Sequence, residues 1–139
     1  MLFQNRVWRV LLVTAIFVVV GPPVGGVVSW MSMGAAFSLR SPVPFVTGSY
    51  GEGMILALSS GLIVAFAGLW LALRSWPVPI VAALVSNALF FVLTADMDLS
   101  RADYVSALYN MGRVFLPPSI VAALVCWFMA RPLLRAEGQ

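Results

Sequence analysis

Four long runs without a single charged side chain divide this chain, and they decide what it can fold into. Thirty uncharged residues separate Arg9 from Arg40, 21 separate Glu52 from Arg74, another 21 separate Arg74 from Asp96, and 17 separate Arg113 from Arg131. A helix of the middle length rises about 31 Å, close to the ~30 Å hydrocarbon core of a bilayer. Of the 139 residues, 62% are hydrophobic and 9% charged, against about 25% charged in soluble domains. Mean hydropathy is +1.01. Charge this sparse does not cover a water-facing surface, so the bilayer is the solvent. The expected fold is an all-α integral membrane protein with a single domain over residues 1–139. Its four transmembrane helices, near 8–33, 54–73, 78–95 and 114–131, form an antiparallel bundle.

All eight cations are arginine. With an even number of spans both termini share a side. Arg6, Arg9, Arg74, Arg131 and Arg135 fall on it, and Arg40, Arg101 and Arg113 fall opposite. Cytoplasmic loops collect arginine, so both termini are predicted cytoplasmic. The pI near 9.8 therefore records threading rather than a basic face, and no nucleic-acid partner is expected. Arg6 and Arg9 before Val10–Val20 look like the start of a signal peptide. Gly21-Pro22-Pro23 offers no small-x-small cleavage site, however, and the apolar run continues to Leu39. An uncleaved first helix is the expectation.

Missing residues exclude chemistry. Without histidine there is no His-ligated haem, iron or copper and no His general base. Without lysine there is no Schiff base. Cys126 is the one cysteine, which removes disulfide-exchange pairs and cysteine-rich metal sites. Asp96-x-Asp98-x-Ser100 begins like a calcium loop, but Arg101 stands where glycine is needed and Ala107 where glutamate is needed. No catalytic residue, cofactor or metal is expected.

Gly21, Pro22 and Pro23 interrupt the first run, and prolines there remove backbone donors, so a kinked first helix is predicted. Gly53, Ala57, Gly61 and Ala65 recur every fourth residue in the second span, followed by Gly68. Ala122 and Cys126 repeat the theme in the fourth. Small residues at this spacing let another backbone approach closely, either within the bundle or in a partner. Asn87 is the carboxamide inside a predicted span, with Ser86, Ser59 and Ser60 as prospective hydrogen-bond partners. Glu52, after Gly48-Ser49-Tyr50-Gly51, marks an outer mouth together with Asp96, Asp98 and Asp103. Tyr104, Leu108, Met111 and Phe115 fall at helical spacing, which predicts a short interfacial helix near 100–112. Trp8, Trp30, Trp70, Trp76 and Trp127 sit near span ends, as interface belts do. Ile80–Val85 recurs unchanged as Ile120–Val125.

Gly21-Pro-Pro-Val-Gly-Gly26 and Phe45-Val-Thr-Gly48 resemble small, mostly uncharacterised inner-membrane proteins of proteobacteria. These have four predicted spans and a G-P-[PL]-[IV]-G-G signature in the first. The resemblance covers the first half of the chain; Glu52-Gly53-Met54 departs from the family's Pro-Ala-x-x-x-Gly pattern. It implies a multi-pass protein of a bacterial inner membrane and adds no activity. No Asp, Glu or Arg lies well inside a predicted span, which counts against proton-coupled transport. The leading expectation is a non-enzymatic structural or accessory subunit, homo-oligomeric or bound to a partner membrane protein through its small-residue faces. The alternative is a transporter or channel for a small neutral or apolar solute, and a membrane enzyme comes third.

Overall fold

The computed structural model describes residues 2–32, 43–73, 75–94 and 101–135. These form four helices and no strand: α1 (Leu2–Ser32), α2 (Val43–Leu69), α3 (Pro77–Thr94) and α4 (Arg101–Arg135). Along α1, Thr14 and Phe17 meet Gly61, Gly21 meets Ala57, and Pro22 meets Gly53, so α2 runs against it. Cys126 lies by Ile16 and Pro118 by Gly25, so α4 does too. The helices close a ring. α1 packs on α2 and α4, α3 sits between α2 and α4, and α2 touches α4 across the centre. Among the described residues α1 and α3 do not meet.

Two stretches, Arg6–Ser32 and Val114–Leu134, are long and apolar enough to cross a membrane. The apolar parts of the other two helices, Gly53–Leu69 and Pro77–Leu93, are shorter, below the ~20 residues of a typical span. Burial claims 28% and 33% of the two long apolar windows, whereas a core helix of a soluble protein is mostly buried.

The structure departs from the sequence reading at two elements and one side chain. The second helix begins at Val43, well before the expected start near 54, so Gly48–Gly53 is helical. Glycine costs about 1 kcal/mol in a helix, but an unpaired backbone in an apolar medium costs more. The interfacial helix expected near 100–112 is instead continuous with the last apolar run, through Pro117 and Pro118. Each proline removes one N–H while the turns on either side keep theirs. α1, as expected from its 8–33 span, runs through Pro22 and Pro23 as one helix. Trp127 is not an interface anchor: it is 8% exposed, with the Arg131 guanidinium 5.4 Å from its ring centre.

Alanine dominates the core. Ala82, Ala83, Ala123 and Ala130 surround Val13, Phe17, Val64 and Leu134, packing the end of the bundle that holds the start of α1. After α2 the chain turns at Ala72, whose φ of 52° is left-handed, and Leu73 N–H returns to the Ala67 carbonyl at 2.9 Å.

Candidate functional site

The small residues of α2 and α4 are packed inside the chain. A Cβ on Gly61 would lie 2.9 Å from Phe17 Cβ and 3.2 Å from Thr14 Cα, so only glycine lets α1 approach this closely. On Gly68 it would meet Leu134 Cδ2 at 2.7 Å. Ala57, Ala65, Ala122 and Cys126 are buried, and half-buried Gly53 faces Pro22. Cys126 Sγ points at the Ile16 carbonyl, 3.9 Å away.

Toward the opposite end the same shortage of side chains leaves space. A cleft of about 310 Å³ lies between α1, α2 and α4. Gly21, Gly25, Gly26, Gly48 and Gly53 line its walls. Phe17, Leu56 and Ala123 are buried at its floor, while Pro44, Gly48 and Val114 are exposed at its mouth. Among the described residues no ionisable side chain lines it.

Hydroxyls in and beside the cleft bond carbonyls of α1, α2 and α4, and two residues of α3 join the network. Pro22 and Pro23 have no N–H for the carbonyls of Val18 and Val19. Tyr50 on α2 donates to the Val19 carbonyl at 2.9 Å. Ser49 Oγ lies 2.6 Å from the Pro22 carbonyl and 2.7 Å from that of Val46. Deeper in, Ser60 bonds Ser86 of α3 at 2.9 Å. The next residue, Asn87, donates from Nδ2 to Ser119 Oγ and to the Ala83 carbonyl, both at 2.8 Å. Ser119 Oγ lies 2.8 Å from the Phe115 carbonyl and 3.0 Å from that of Leu116. Two consecutive residues of α3 thus tie it to both neighbours.

Of the residues singled out from sequence, Gly21, Pro22, Gly53, Ala57 and Ala122 line the cleft, and Pro23 does not. Asn87 stands behind Ser119 instead of joining Ser59 or Ser60; Ser59 turns back to the Ile55 carbonyl at 2.8 Å. Of the expected outer mouth only part falls among the described residues. Asp103 is exposed in the first turn of α4, Glu52 lies on α2, and Asp96 and Asp98 are outside the described residues. Among those described, no group of His, Cys, Asp and Glu is placed to hold a metal. Sequence reasoning noted Ser49 and Tyr50 only as neighbours of Glu52 and missed Ser119. For Tyr50 the usable signal was the Val19 carbonyl, one turn before Pro23, which asks for a donor nearby. No family model matches the chain, and no curated protein or solved structure matches it either.

Proposed function

We propose that this is a non-enzymatic, four-span protein of a bacterial inner membrane that loads a small neutral solute into the α1–α2–α4 cleft for transport. The observation that carries this reading is the cleft itself: about 310 Å³ of space walled by glycine and apolar side chains, with no ionised group among those described. Pre-formed, mostly apolar concavities of this size are where small molecules bind. The accessory-subunit reading relied on small-residue faces, which packing within the chain already uses.

Membrane residence has its own support. Val19, Phe66, Val92, Leu93 and Phe128 are exposed around the bundle, a surface suited to acyl chains. The shorter apolar parts of α2 and α3 fit a bilayer that thins locally. Arginine asymmetry places both termini in the cytoplasm, and the G-P-P-V-G-G resemblance agrees with an inner membrane. A reporter fused after Gln139 is expected to be cytoplasmic; a periplasmic signal would overturn the topology.

Proteoliposome flux tests the function. Neutral solutes of graded apolarity should cross faster than in protein-free vesicles. Gly25→Leu, which fills the cleft, should abolish the difference. Gly51→Leu, at a position with nothing within 4 Å and outside the cleft lining, should keep it. Flux equal to that of empty vesicles for every solute would sink the proposal.

A further inference from the structure

We infer that the solute of this cleft is a hydrogen-bond donor: a neutral alcohol or primary amide on an apolar body. The inference rests on reading the cleft as a solute site. It comes from the direction in which each wall hydroxyl points its proton. A hydroxyl has one proton and two acceptor lone pairs. Ser49 directs its proton to the carbonyls of Pro22 and Val46, which can only accept; Ser60 pairs with Ser86, and either hydroxyl can donate. Ser119 is committed twice: its proton lies toward the carbonyls of Phe115 and Leu116, which can only accept, and Asn87 occupies one of its lone pairs.

What Ser49 and Ser119 have left for a ligand is lone pairs. Pro118 extends the pattern, because it has no N–H for the carbonyl of Val114 at the mouth. Ser29, also at the mouth, is the exception and can turn its proton to water. An ether, ester or ketone would meet lone pair against lone pair in the depth of the cleft. An alcohol or amide would not. The cleft's 310 Å³ is about twice the ~150 Å³ apolar cavity that takes one benzene, which suits a body of two fused rings.

The test uses the full-length protein in nanodiscs, with empty nanodiscs to subtract partitioning. Three probes share one body: 2-naphthalenemethanol, its methyl ether, and 2-naphthylmethylamine as the ammonium ion. Equilibrium dialysis should show the alcohol binding roughly three- to tenfold tighter than the ether, the worth of one net hydrogen bond. Ser119→Ala should narrow that gap by weakening the alcohol alone. Asn87→Leu frees a further lone pair on Ser119 while its proton stays with the Phe115 and Leu116 carbonyls, so it should not improve the ether. Since loss of Asn87 also cuts the tie to α3, Ser49→Ala serves as an independent variant with the same expected loss for the alcohol.

Equal affinity for alcohol and ether would overturn the donor assignment while leaving the solute site standing. Preference for the ammonium ion, removed by Glu52→Gln, would overturn the neutral class. Binding of all three probes no better than to empty nanodiscs would overturn the solute site itself.

Discussion

A proline inside a helix leaves the carbonyl one turn earlier without its amide donor, and in α1 one such carbonyl belongs to Val19. Tyr50 supplies the missing proton from another helix. Tyr50→Phe should therefore cost about 1–2 kcal/mol, read as a lower midpoint in detergent unfolding; an unchanged midpoint would show the bond to be idle. Glycines divide by what faces them. Gly61→Ala forces Phe17 and Thr14 to move and should cost about 1–3 kcal/mol. Gly51→Ala meets open space and should gain up to about 1 kcal/mol from helix propensity. The two glycines look alike in sequence. Four-residue spacing marks Gly61 as a contact position, but only the position of Phe17 shows which helix it meets. Asn87 was legible as an interhelical donor, whereas its acceptor Ser119 lies 32 residues on and is set by the packing of α3 on α4.

At the scale of elements, charge-free runs located each helix, because an apolar medium requires the backbone to pair with itself. Boundaries were harder to read. Proline and glycine suggest breaks by the rules of water, yet α4 continues through Pro117 and Pro118 and α2 through Gly48–Gly53. The repeated hexapeptide shows what a shared pattern does specify: Ala82 and Ala83 in α3, and Ala122 and Ala123 in α4, all face inward. α3 is fastened by Ser60–Ser86 and Asn87–Ser119. Interhelical bonds of this kind contribute about 0.6–2 kcal/mol, so a double-mutant cycle on Asn87 and Ser119 should return a coupling in that range. A coupling of zero would mean that apolar packing alone holds α3. The turn before α3 offers a gain. Left-handed Ala72 costs about 1–2 kcal/mol relative to glycine, offset by about 0.4–1 kcal/mol of unfolded-chain entropy. Ala72→Gly should raise stability by about 0.5–1 kcal/mol, and a lower midpoint would refute the strain.

Across the whole molecule, packing is uneven from end to end. Phe17, Val64, Cys126 and Leu134 fill the bundle around the start of α1 and the end of α4, while the half around the end of α1 holds the cleft. Composition made an apolar helical protein legible. The cleft was not, because a void depends on where side chains are missing in three helices at once. This asymmetry has a mechanical consequence. Acyl chains press sideways on any inclusion, and in the proposed bilayer setting only one leaflet would press on a part of the protein that can give way. Crowding that leaflet should shrink the hollow and weaken solute binding, whereas the same pressure in the opposite leaflet meets close-packed alanine. Lysolipid added to one side of a vesicle and then to the other is expected to change solute affinity from one side only; equal responses would mean that both halves are equally stiff.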